Sequence, residues 1–272
     1  MIDAIRASLS PLPPPQRLNG LREYLQWMVL QVLDESGHRA DLIFTGGTCL
    51  RVVYGIARFS EDLDFSLAEN NHWDMGKVRA DLMTHLKRRG ISVETSNVRA
   101  DGRAIGSFWI QFPNLLFPLG LSTQRTQKLS LKFEVDQNPP KGGTVAEFFR
   151  PAPLPFLVNH YDLPSLFATK THALLFRGFD KGRDYYDLLF FLGRKVKPNL
   201  KLFQNAVRQT HPQLSFKTPG SLWSAIRKKI EAMDQPLILR DLRPFLLNPE
   251  EERFLTKPLL LKALALAEDG SS

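Results

Sequence analysis

Asp62 and Asp64 stand one residue apart, and a turn of Gly46, Gly47 and Thr48 precedes them by the length of one short helix. On a strand, alternate residues face the same way, so the two carboxylates would share a face while Leu63 and Phe65 enter a core. Carboxylates held side by side repel unless a cation or protons compensate. Magnesium takes oxygen ligands and leaves room for phosphate oxygens. Glycines at a strand-to-helix turn let backbone N–H groups approach a phosphate, aided by the positive end of the helix dipole. Thr48 can add a hydroxyl. Each half has a plainer reading, a simple turn and a solvated acidic loop. The spacing joins them, because it returns the aspartate strand to the side of the turn, and together they point to transfer of a nucleotide or phosphoryl group. No Gly-Lys-Ser/Thr follows the glycines, so this is not a Walker loop, and the dinucleotide fingerprint is absent too.

Two-metal transfer calls for a third carboxylate from another strand. In residues 128–136, Leu131, Phe133 and Val135 alternate with Lys132, Glu134 and Asp136. Glu134 and Asp136 are both candidates. The alternative is an exposed strand face on which Lys132 pairs with either acid. Further on, Lys170 and Arg177 fall two helical turns apart, and Asp184 and Asp187 fall about one turn apart. The plain reading of these is a surface ion network of little energetic weight.

The elements that must position these groups are readable. Residues 17–36 carry Leu18, Leu21, Leu25, Met28, Val29 and Val32 at helical spacing. Residues 41–44 read as a short strand, 49–56 as a helix and 63–67 as the next strand. A helix over 73–89 stops at Gly90. Strands are expected at 91–98, 105–112 and 128–136. The proline-rich stretch 150–155 is a break. Helices are expected after it at 165–177, 183–192, 200–209, 220–233 and 249–267, the last opened by Asn248, Pro249 and two glutamates. The expectation is an α/β (α+β) half over residues 1–150 and an α-helical half over 151–272.

The chain has 272 residues, 43% hydrophobic and 24% charged, ordinary values for a globular protein. Its formal net charge of +8 suits a polyanionic partner, a nucleic acid or a nucleoside triphosphate. No apolar run is long enough to span a bilayer, and the first residues lack a signal-peptide layout, so a cytoplasmic location is expected by default. The single cysteine, Cys49, excludes an internal disulfide. Zinc is not indicated, since no Cys/His cluster exists. His172 reads as a packing residue, as do Trp109, Trp223 and the phenylalanines, with stacking of a base as the alternative role for one or two of these aromatics.

Gly46, Gly47, Thr48, Leu50 and Arg51, followed by Arg58, Phe59, Ser60, Asp62, Leu63, Asp64 and Phe65, resemble the signature of the AbiEii/MenT nucleotidyltransferase-like toxins of the DNA polymerase β-type superfamily. Ala168, Lys170, Ala173, Leu174 and Arg177, then Arg183, Asp184, Tyr186, Asp187 and Leu188, resemble that family's later motifs. The resemblance covers about residues 40–195. It implies a nucleotidyltransferase fold, with a small mixed sheet and flanking helices ahead of the helical half. It also implies a bacterial toxin–antitoxin or abortive-infection role, with a cognate antitoxin as partner. The reaction would move a nucleotide from an NTP to an acceptor, best a tRNA 3′ end. Asp62, Asp64 and Glu134 would hold Mg²⁺ or Mn²⁺, with Asp62 and Asp64 catalytic. Gly46, Gly47 and Thr48 would cradle phosphates. Arg58 would sit near the phosphates or brace its loop. Lys170 and Arg177 would meet the triphosphate, and Asp184 would face the active site or hold Lys170. The same residues also admit a kinase-like phosphotransferase, or a module that binds NTP without turnover.

Overall fold

The structure is a computed structural model that describes residues 1–69, 73–99 and 104–269. In chain order its elements are α1 (Ile2–Leu9), α2 (Arg17–Glu35), β1 (Leu42–Thr45), α3 (Gly46–Tyr54), β2 (Leu63–Leu67), α4 (Met75–Arg88), β3 (Glu94–Thr95), β4 (Ile105–Phe112), β5 (Leu129–Asp136), β6 (Val145–Arg150) and β7 (Phe156–Tyr161). The helices α5 (Leu163–Phe176), α6 (Gly182–Gly193), α7 (Leu200–Thr210), α8 (Pro219–Glu231), α9 (Gln235–Leu242) and α10 (Lys257–Asp269) follow.

The strands form one mixed sheet in the order β3-β4-β5-β2-β1-β7-β6. β2 runs antiparallel to β1 and parallel to β5, while β4 is antiparallel to β5. The expected mixed sheet is therefore present, widened by β6 and β7, which the sequence reading had not anticipated. The strand expected over 91–98 shrinks to Glu94 and Thr95, paired with Gln111 and Ile110 of β4.

Alternation decides which way each strand faces. In β5, Leu129, Leu131, Phe133 and Val135 are buried, while Ser130, Lys132, Glu134 and Asp136 are half-exposed. The buried side carries an aromatic ladder across four neighbouring strands. Phe44 lies 5.3 Å from Phe65, Phe65 lies 5.0 Å from Phe133, and Phe133 lies 4.8 Å from Phe108, centroid to centroid. Such pairs add to area burial by about 0.5–1.5 kcal/mol each. Slipping one strand by one residue would pull its phenylalanine out of the ladder, so the ladder fixes the register. Helix α2 contributes Leu21, Leu25, Met28, Val29 and Val32 to the core and packs on α4. Asp74 caps α4 by accepting from the N–H groups of Gly76 and Lys77, and Gly90 ends the helix at φ +75°.

The chain divides into two compact units: residues 1–53, 59–139 and 145–160 in the first, and residues 54–58, 140–144 and 161–272 in the second. The sequence reading put the change at 150; the division comes instead at the end of β7, and two short earlier segments join the helical unit. Backbone pairing accounts for one of them. Arg58 forms an antiparallel bridge with Leu246, and the N–H of Leu247 donates to the carbonyl of Ala57 at 3.2 Å. Side chains account for the other, since Asn199 and Asn205 donate to the carbonyls of Gly142 and Lys141 at 2.8 and 2.6 Å. In the helical unit, Phe167 of α5 stacks on Phe191 of α6 at 4.5 Å.

Candidate active site

The turn from β1 into α3 is built around Asp64. Helix α3 begins at Gly46 itself, earlier than the expected start at 49. Gly46 has φ +74°, a left-handed conformation that disfavours any side chain. A Cβ there would also meet Asp64 Oδ2 at 2.1 Å. Two independent reasons thus require glycine, and both leave the Asp64 carboxylate lying directly against the start of a helix. Thr48 is fully buried, and its hydroxyl donates to the carbonyl of Asp62. The hydroxyl expected to face a phosphate therefore fixes the approach to β2 instead. Gln26 of α2 holds the same approach by donating to the carbonyl of Ser60 at 3.1 Å.

Register then lines up the acids. Asp64 is level with Thr45 on β1 and with Glu134 on β5. Glu134 is in turn level with Ser107 on β4, and Asp136 with Ser66 on β2. Glu134, rather than Asp136, is thus the acid beside Asp64, on the half-exposed side of β5. Lys132 Nζ lies 2.8 Å from Glu134 Oε1, the pairing weighed from sequence. Burial raises the pKa of Asp136, opposed by a backbone bond from Asn138.

Asp62, Asp64 and Glu134 offer oxygen donors only, the set magnesium or manganese takes. Asp64 and Glu134 sit level on neighbouring strands, so these two fit such an ion in donor type and strand position. Among the described residues, no three His, Cys, Asp or Glu side chains are already gathered as a metal cage.

In the helical unit the expected residues converge on one another. Arg58 donates through Nε and Nη2 to the two carboxylate oxygens of Asp187, both at 2.7 Å. Arg58 is 1% exposed and Asp187 fully buried. Lys170 Nζ reaches Asp187 Oδ2 at 2.9 Å and Asp184 Oδ1 at 4.0 Å. Arg177 donates to Asp184 Oδ2 at 2.6 Å from just beyond the end of α5. Burial alone would raise the pKa of Asp187, but Arg58 and Lys170 outweigh it and hold the carboxyl below its ordinary range.

A sequence model described as "Nucleotidyl transferase AbiEii toxin, Type IV TA system" matches residues 29–267. The chain belongs to the AbiEii nucleotidyl transferase toxin family. That family is one of type IV toxin–antitoxin systems, and membership implies an antitoxin partner. No curated protein matches the chain. A crystal structure from H. pylori, of a protein assigned as a nucleotidyltransferase, superposes with TM-score 0.51 at 18% identity, covering 91% of this chain and 95% of its own. The structure of JHP933 from Helicobacter pylori gives TM-score 0.48 at 16% identity, covering 91% and 89%. The first likeness is one of fold, a nucleotidyltransferase fold as expected. No described helix is long and apolar enough to cross a membrane.

Within this AbiEii family chain, the burial of Arg58 against Asp187 favours the loop-bracing alternative over a place near the phosphates, and one reading changes. Trp109, read as core, is 39% exposed, whereas Trp223 is 4% exposed and does pack inside. The signal for Trp109 was in the sequence, because Phe108, Ile110 and Phe112 take the core face of β4 and leave the intervening residues on the other. Asp187 was the underrated residue. Its partner Arg58 is remote in sequence, and no local pattern shows that pairing.

Proposed function

We propose that the chain transfers a nucleotide from an NTP to the 3′ end of an RNA acceptor, in first instance a tRNA. The observation that carries this reading is the line of Gly46, Asp64 and Glu134: a helix start, a carboxylate lying on it, and a second carboxylate level with the first. The acceptor hydroxyl oxygen bonds to the α-phosphorus as its proton passes to water. The bond from that phosphorus to its bridging oxygen breaks, and pyrophosphate leaves with the electron pair. The backbone N–H groups of Gly46 and Gly47 orient the phosphates. Asp62, Asp64 and Glu134 hold Mg²⁺ or Mn²⁺, which when bound neutralises charge on the triphosphate. In the helical unit, Asp184 steadies Lys170 and Arg177. The net charge of +8 supports an RNA acceptor.

The test is incubation of purified chain with tRNA and each NTP, labelled at the α- or the γ-phosphate. Label from the α position should appear on tRNA and disappear with Asp64→Ala. Transfer of the γ label would replace this reading with phosphoryl transfer. NTP binding with neither label transferred would leave only a binding module.

A further inference from the structure

A groove of about 440 Å³ opens on the sheet face next to Glu134. Its walls include Arg99, Trp109, Lys132 and Ser107, with Ile105 at its edge. Trp109 and Ile105 are 39% and 51% exposed, which is unusual for large apolar groups on strands. Trp109 is level with Lys132, and Ser107 is level with Glu134. Arg99 is exposed and exchanges backbone hydrogen bonds with Ser107 at 2.9 and 3.0 Å. An open indole that shares a groove with Arg99 and with Lys132, itself paired with Glu134, has the chemistry of a single-stranded nucleic-acid platform, in which rings stack bases and cations take phosphates.

Strand order says which reactant belongs there. From one side to the other, the sheet offers the glycine turn at the end of β1, the aspartates on β2, Glu134 on β5 and the groove on β4. In-line displacement puts the attacking oxygen and the leaving group on opposite sides of the phosphorus. With the pyrophosphate at the glycine turn, the attacking hydroxyl comes from the β4 side. We propose that this groove binds the 3′ end of a single-stranded polynucleotide acceptor, with Trp109 stacking a base and Arg99 and Lys132 contacting phosphates. The inference rests on the transfer reading above, and it names the residues that seat the acceptor.

The test is fluorescence anisotropy with a fluorescein-labelled single-stranded RNA of about ten nucleotides, its DNA counterpart and a blunt duplex, all without NTP or metal. Trp109→Ala should weaken single-strand binding about tenfold, and Trp109→Phe should restore most of it. Arg99→Gln should lower the slope of log K against log salt by about 0.7. ATP affinity should stay unchanged in Trp109→Ala. Equal single-strand affinity in Trp109→Ala and wild type would overturn the proposal, as would duplex binding as tight as single-strand binding. A Trp109→Ala loss confined to ATP would also overturn it, assigning the groove to the incoming base. The two readings fail separately. Trp109-dependent RNA binding without α-label transfer sinks the transfer reaction alone. Transfer whose KM for RNA ignores Trp109→Ala sinks the groove alone.

Discussion

Asp64 and Glu134 on the sheet and Asp184 and Asp187 on α6 are all acidic residues singled out from the sequence, yet their surroundings are opposite. On the sheet, acids stand half-exposed in a line, with Lys132 beside Glu134. On α6, Arg58, Lys170 and Arg177 enclose two carboxylates that are almost wholly buried. A buried carboxylate stays ionised only when cations surround it, and such a cluster is satisfied from within. A half-exposed line of acids stays open to solvent and so can be reached by an outside cation. The first arrangement suits a ligand, and the second suits a scaffold that holds Lys170 and Arg177 in place.

The contrast can be broken by substitution. Asp187→Ala leaves buried Arg58 without its bidentate carboxylate and should cost about 3–5 kcal/mol of stability, read from urea unfolding. Asp64→Ala should weigh the other way, lowering α-label transfer by about 10³-fold while costing less stability than Asp187→Ala. An Asp64→Ala chain that unfolds as readily as Asp187→Ala would erase the distinction. Gly46→Ala forces a side chain into left-handed backbone for about 1–2 kcal/mol. It also displaces the Asp64 carboxylate, so transfer should fall further than stability explains. Thr48→Val removes the bond to the Asp62 carbonyl and should cost about 1 kcal/mol, with a matching loss of transfer.

The smallest effect belongs to pH. His172 on α5 has its pKa lowered by burial and then by His211, so the folded state favours the neutral ring. A base with a depressed folded pKa gives stability that is present above its unfolded value of about 6.5 and is lost as pH falls below that. The urea midpoint of the helical unit should therefore drop on acidification from about pH 7, and His172→Phe should flatten the drop.

Local pattern made much of this legible. Strand β2 falls on the expected residues 63–67, and β4 on 105–112, because alternation over a half-buried strand is a strong signal. β6 was not legible, since its residues are mostly exposed and proline-rich sequence follows it. The single helix expected over 249–267 is in fact a 3₁₀ turn at Pro249–Phe254 followed by α10. Pro258 explains the break: it has no N–H for a continuing helix but is well suited to a first turn. At the candidate site, alternation put Glu134 and Asp136 on one face of β5, whereas the pairing that sets Glu134 level with Asp64 was not legible, because register depends on a strand far along the chain. The burial of Arg58 was not legible either, because it depends on a partner far along the chain.

The phenylalanine ladder also sets a schedule. During synthesis, a chain that has emerged through β2 already carries Gly46, Asp62 and Asp64. The residue level with Asp64 belongs to β5, which comes after α4, β3 and β4 have been made. Phe133 enters the ladder and Glu134 takes its place beside Asp64 in one pairing step, since neighbouring residues on a strand are set together. Chains made only through β4 therefore carry Gly46, Asp62 and Asp64 without Glu134 beside Asp64.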